Sequence, residues 1–214
     1  MKINILIDNN HSFLNLWKQE IKKIIIKHRH RVKLFKNQND IKQGDVLLIL
    51  GCESILKDEK LKLHKLNLVI HPSKLPDGRG GAALIWSILN NKKKFFITMF
   101  NANEKIDRGD IVFYQKFSLK GHELHDEIRT IQAKETIKLI IKFLKNVRRI
   151  KLTKQKGLGY YLRKRTPADS ILDINKTIYE QFNLLRCCDN ENYPAYFIIN
   201  KIKYVVKIYK DNRS

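Results

Sequence analysis

The chain has 214 residues, of which 43 are Lys or Arg and 21 are Asp or Glu, so its formal charge at pH 7 is +22. That length suits one substantial domain with a small appendage, and a hydrophobic share of 43% is enough for a core of ordinary size. No apolar run approaches the roughly 20 residues that a bilayer span needs, and MKINILIDNN passes from a lysine straight into a strand-like run without a leader's small-residue pattern. A cytoplasmic protein with no membrane partner is expected.

Taken alone, the excess of cations points to nucleic acid or another polyanion. Yet Lys, Ile and Asn are abundant together, as an AT-rich coding sequence makes them, and only Lys142 to Arg165 is locally dense. The solvated end of a helix followed by a linker accounts for that stretch, so nucleic acid is not the expected partner. Cys52, Cys187 and Cys188 show no zinc-ligand spacing, and the adjacent pair cannot easily join. Ordinary thiols and no metal are expected.

In chain order, KINILI (2–7) reads as a buried strand. A helix follows over 12–28, with Leu14, Trp17, Ile21, Ile24 and Ile25 at helical spacing and Ser12 as its N-cap. Strands are predicted at 31–35, 46–50 and 67–71, then a helix at 82–90 and strands at 95–100 and 111–117. A long amphipathic helix at 122–147 completes an open, mainly parallel α/β sheet. KLTKQKGLGYYLRKRTPADS, with its glycines, proline and cations, reads as a linker crossing a surface. A helix at 175–186 and two β-type runs around Asn200-Lys201, read as a hairpin, end the chain.

Ligands of such sheets bind beyond the carboxyl ends of the strands. Three loops are therefore candidates: DNNHS, GCES and HPSKLP. GRGG satisfies neither the P-loop nor the dinucleotide-fold pattern, so Gly78, Gly80 and Gly81 read as permitting close backbone packing. His71 stands at a strand end, with Pro72 forbidding further ladder bonds. Asp107 lies in EKIDRGD between two strands, and neighbouring strands ending at one sheet edge would bring it within reach of His71 for proton transfer. The alternatives are a satisfied half-buried histidine and a turn aspartate.

The order HPSKLP, RGG, a strand, then DRGDIV resembles the formyltransferases that use 10-formyltetrahydrofolate, with their NxHxSLLPxxRG and DxGD motifs. RKRTPADS and NYPAYF resemble the segments that follow the catalytic unit in that family, most closely in the short sugar N-formyltransferases. The resemblance implies a Rossmann-like formyltransferase fold over 1–148, a linker over 149–170 and a helix-plus-hairpin extension over 171–214. It implies formyl transfer to the amine of a nucleotide-linked amino sugar, with dTDP-4-amino-4,6-dideoxyglucose, a precursor of surface polysaccharide such as O-antigen, as the expected acceptor. His71 and Asp107 map onto the family's catalytic pair. Gly51, Cys52, Glu53, Ser54 and Asp107 are expected at the folate. Asn9, Asn10, His11, Ser12, Phe13, Lys74, Gly78 and Arg79 are expected at the nucleotide sugar, and a homodimer through the hairpin is implied.

One departure stands out. The family's catalytic asparagine falls on Val69 here, while Asn67 stands four residues before His71 on the same strand face, roughly 13 Å away. A bulge could bring Asn67 closer, Asn101 or Asn103 could supply the amide, or the site could work without one. Methionyl-tRNA formyltransferase is the alternative reading. Its larger C-terminal barrel does not fit the roughly 60 residues left here after the α/β unit. A non-catalytic basic module binding nucleic acid is the more distant one.

Overall fold

The computed structural model describes residues 1–211. It is an α/β fold in which strands β1 (Lys2–Leu6), β2 (Arg31–Phe35), β3 (Val46–Ile49) and β4 (Leu66–His71) are parallel. Helices α1 (Lys18–Lys27) and α2 (Asp58–Leu61) fall between them. A short strand β5 (Asp77–Gly80) and helix α3 (Ala83–Leu89) lead to β6 (Phe95–Asn101) and β7 (Asp110–Phe117), which are antiparallel additions. The six-stranded sheet has the order β2-β1-β3-β4-β6-β7. Helix α4 (His125–Asn146), a short β8 (Tyr160–Leu162), α5 (Ile178–Cys187) and the hairpin β9 (Ala195–Ile199) and β10 (Ile202–Val206) complete the chain.

The strand alternation decides where the core sits. Ile3, Ile5, Val46, Leu48, Leu68, Ile97 and Met99 point to the face covered by α1, α3 and α4, where Ile21, Leu84, Ile140 and Phe143 meet them. The opposite face carries Leu6, Leu47 and Ile49, covered only by loops and the four-residue α2 through Ile41, Leu56 and Leu61. Asn67, Val69 and His71 share this thinly covered face. A site on this side of β4 is therefore reached through loops rather than through helices.

The helix expected over 12–28 begins later. Phe13–Leu16 forms a tight 3-10 turn, with Ser12 Oγ accepting from Leu14 N at 3.3 Å, and α1 proper starts at Lys18. The expected linker is also more than a connection. Thr153 exchanges both backbone bonds with Ile111 at 2.8 and 2.9 Å, and β8 pairs in parallel with β5. The RTPADS stretch folds on itself: Asp169 accepts from Thr166 N at 2.7 Å and receives both arms of Arg163, which hold its carboxyl well below the usual range. Arg163 lies over the Trp86 ring at 4.8 Å, docking this segment on α3.

Candidate active site

His71 ends β4 and is buried, with its Nε2 2.7 Å from the Gly78 carbonyl oxygen. A carbonyl only accepts, so Nε2 carries the proton and Nδ1 is the position left for chemistry. Nδ1 faces Asp107 Oδ2 at 3.6 Å, and the two side chains are 8% and 13% exposed. That gap exceeds a hydrogen bond. It leaves both atoms close enough that one polar group approaching from the side could hydrogen-bond to each. The same Oδ2 accepts from Gly80 N at 2.8 Å, which fixes the carboxylate from the β5 side.

Asp107 reaches His71 by a route other than the expected shared sheet edge. Strand β6 is antiparallel to β4, so its last residue Asn101 lies opposite Leu68 while His71 lies opposite Thr98. The loop after β6 therefore doubles back over the thin face before β7 begins. Two local features allow it. Asp107 takes a left-handed conformation (φ 52°), which aspartate tolerates better than most residues. At Gly109 a Cβ would stand 1.7 Å from the Asn101 carbonyl oxygen, so only glycine fits.

Several expected site residues have other occupations. Arg79 is 3% exposed and spends its guanidinium on Asp107 O (3.2 Å), Leu158 O (3.0 Å) and Gln155 Oε1 (2.7 Å). These bonds brace the Asp107 loop and the 155–158 segment against β5. Gly78, at φ 71°, turns its carbonyl to His71. Asn67 is turned away: β4 keeps an unbroken register with β3, and its Nδ2 donates to Leu61 O at 2.9 Å. No bulge brings it toward His71. Asn101 Oδ1 accepts from Asn67 N at 2.8 Å, and Asn103 Oδ1 from Lys105 N at 3.0 Å, so each side chain is anchored through its oxygen. Val69 packs beside Leu75 and Phe100.

The loops after β1 and β3 meet at the rim. Asn9 Nδ2 donates to Glu53 Oε1 at 3.0 Å, and Glu53 N donates to Asp8 Oδ1 at 2.9 Å. Asn10, His11, Glu53, Ser54 and Lys74 are exposed. Ser12 and Phe13 instead serve the fold, the first as a cap and the second beneath the Arg129 guanidinium at 5.3 Å. Gly51, at φ 63°, lies so close to Ser12 that a Cβ would fall 2.2 Å from Oγ. Burial pushes the Cys52 thiol up to about 12, which keeps it a neutral, inert side chain. Asp8 opens the candidate loop DNNHS but was not among its expected contacts. Its Oδ2 is buried without a partner at the carboxyl end of β1, and its place directly after an apolar run was the available signal.

The open α/β sheet thus carries a buried histidine and a facing carboxylate beyond a strand end, two groups whose chemistry suits proton transfer. A formyl transferase family model matches residues 9–144, and the chain belongs to that family. It is 27% identical over 197 residues to the bifunctional polymyxin resistance protein ArnA of Wigglesworthia glossinidia brevipalpis, covering 83% of this chain and 29% of that one. It is 27% identical over 168 residues to the methionyl-tRNA formyltransferase of Pseudothermotoga lettingae, covering 76% and 56%. The chain thus spans little more than half of the second relative's length and under a third of the first's. A solved sugar N-formyltransferase from Shewanella shares its fold with a TM-score of 0.75 at 17% identity, covering 100% of this chain and 99% of that one.

Proposed function

We propose that the protein transfers a formyl group from 10-formyltetrahydrofolate to the amine of a nucleotide-linked amino sugar. The observation that carries this reading is the buried His71–Asp107 pair, whose facing Nδ1 and Oδ2 stand 3.6 Å apart at the end of β4. When bound, the folate supplies an activated formyl group. The exposed Glu53 and Ser54, with the unpartnered Asp8 Oδ2 behind them, offer it a polar rim.

Amine attack on a formyl carbon drives negative charge onto the formyl oxygen and leaves a proton to be taken from nitrogen. Asp107 is the acceptor for that proton, since Gly80 N and the fixed loop hold its carboxylate in place. His71 completes the relay: its Nε2 proton stays on Gly78 O, while the proton taken by Asp107 passes to Nδ1 and from there to the departing folate nitrogen as its bond to the formyl carbon breaks. The acceptor's diphosphate meets a strongly basic surface. A cavity of about 900 Å³ beside the HPSKLP loop is lined by Lys74, Lys142, Lys154 and Lys156. A dTDP-linked 4-amino-4,6-dideoxyglucose, destined for surface polysaccharide, is the acceptor of this class that we favour.

The same charge suits tRNA, and methionyl-tRNA formyltransferases are prominent among the relatives. An assay of formyl transfer across nucleotide-linked amino sugars and methionyl-tRNA separates the two. Turnover with a sugar, lost by about 10²-fold or more in His71→Ala and Asp107→Ala while both remain folded, is the expected result. Turnover with methionyl-tRNA alone, or near-normal rates in both variants, overturns it.

A further inference from the structure

The stretch between α4 and β8 carries one amide wedged between both walls of the site. Gln155 Nε2 donates to Asp107 O at 2.8 Å and to Gly109 O at 2.9 Å, while its Oε1 accepts from Arg79 Nη2 at 2.7 Å. This amide has one workable orientation. Turned over, its oxygen would face two carbonyls and its NH2 a guanidinium. Arg79 closes the arrangement by donating from Nε to the same Asp107 carbonyl at 3.2 Å.

The Asp107 carbonyl is thus held by two donors from outside its own loop. Because Asp107 is left-handed at φ 52°, fixing its carbonyl also fixes the direction in which its side chain leaves the backbone. That side chain is the one facing His71. Gln155 itself cannot drift, since Thr153 is bridged to Ile111 on one side and β8 is paired with β5 on the other.

We propose that Gln155 is a positioning residue: by pinning the Asp107 and Gly109 carbonyls and locking Arg79 against them, it aims the Asp107 carboxylate at His71. Its kinetic consequence rests on the formyl-transfer reading; its geometric consequence does not. A displacement near 1 Å at a reacting group is enough for a loss on the order of 10²-fold. Gln155→Ala removes all three bonds. Gln155→Glu keeps the shape and the Arg79 contact but sets a carboxylate against two carbonyls.

Two measurements test this. In steady-state transfer, both variants should lose tenfold or more in kcat with KM for the formyl donor within about threefold. Adding Gln155→Ala to Asp107→Ala should cost nothing further, because Gln155 acts only through Asp107. In the ligand-free protein, NMR of the His71 ring should show Gln155→Ala shifting its signals in the direction produced by Asp107→Ala. Gln155→Glu is read in the same way if the alanine variant fails to fold. Unchanged His71 signals, a kcat within twofold of the parent, or losses that multiply in the double variant overturn the proposal. A parent without formyl-transfer activity defeats the reading of function, and the His71 signals still decide the role of Gln155.

Discussion

At Val69 the strand carries an isopropyl group where the family resemblance places a carboxamide, two residues before His71 on the same face. Val69 packs with Leu75 and Phe100, so the position is shaped for an apolar side chain. Val69→Asn trades some packing, about 1–2 kcal/mol of stability, for a donor beside the reacting carbonyl. An oxyanion donor is worth on the order of 10²-fold, so the variant should raise kcat about tenfold or more in the formyl-transfer assay. A folded Val69→Asn protein with unchanged or lower kcat shows that another group already fills that role. Asn67→Ala is the counterpart. It removes the bond to Leu61 O, which should cost about 1 kcal/mol in chemical denaturation and leave kcat within twofold. The His71–Asp107 pair was legible because each residue sits in a distinctive turn: His-Pro after an apolar run, and Asp-Arg-Gly between strands. Arg79 was legible as a cation but its bonds to carbonyls were not, since charge alone does not say whether a guanidinium faces solvent or braces the backbone. Gln155 is a single amide in a lysine-rich run, and nothing in its neighbours marks it.

Among the elements, the long apolar strands and α4 follow from periodicity, because burial on one or both faces imposes it. The three- and four-residue pieces do not. β5 is Asp-Gly-Arg-Gly and β8 is Tyr-Tyr-Leu, too short for a pattern, and they exist because glycine lets the backbones approach: a Cβ at Gly80 would lie 2.3 Å from Leu162 O. The attachment of α5 was hidden for another reason, since it rests on a buried ion pair. Arg186 Nη1 lies 3.7 Å from Glu123 Oε2 and donates to Glu123 O at 3.2 Å, with the two side chains 5% and 7% exposed. Glu123 in turn accepts from the backbone of Lys120 and Gly121. Arg186→Ala strands that carboxylate and should cost about 3 kcal/mol in denaturant unfolding. Arg186→Met together with Glu123→Gln should recover part of the loss. A second element-level effect comes from His64, buried against Asn4 beside β1, where burial holds its pKa below the ordinary 6.5. The folded state therefore keeps this ring neutral while the unfolded chain protonates it, so stability falls as pH drops below about 6.5. Thermal unfolding at pH 7.5 and 5.5 should show this decrease, and His64→Gln should flatten it.

For the whole molecule, the six-stranded sheet and the C-terminal unit meet the solvent differently. The described helices include none long and apolar enough to cross a membrane, yet the hairpin exposes apolar side chains. Ile198 and Val205 on one face, and Ile202 and Tyr204 on the other, are between 44% and 56% exposed, while Phe197 and Val206, on the Tyr204 face, pack on Leu172 and Leu185. One edge of the hairpin is partly closed, since Leu172 N donates to Tyr196 O at 2.6 Å. The edge of β10 has no such neighbour in the two-stranded sheet β10-β9. An unpaired strand edge with apolar side chains exposed on both faces of its hairpin is a template for a second strand, and a second copy of this chain supplies one. Sedimentation of the 25.4 kDa chain should therefore show a dimer in the micromolar range. Ile202→Lys with Val205→Lys puts a cation on each face of the β10 edge, where a second copy would pair, and should yield a monomer, in a chain whose charge of +22 already disfavours close approach. Circular dichroism should be unchanged, because neither side chain is buried in the protomer. His71, Asp107, Arg79 and Gln155 are brought together by the fold of a single chain. The monomeric variant should accordingly keep kcat within a fewfold of the dimer. A larger loss means that the partner's hairpin reaches the acceptor, and a parent protein that sediments as a monomer removes the dimer altogether.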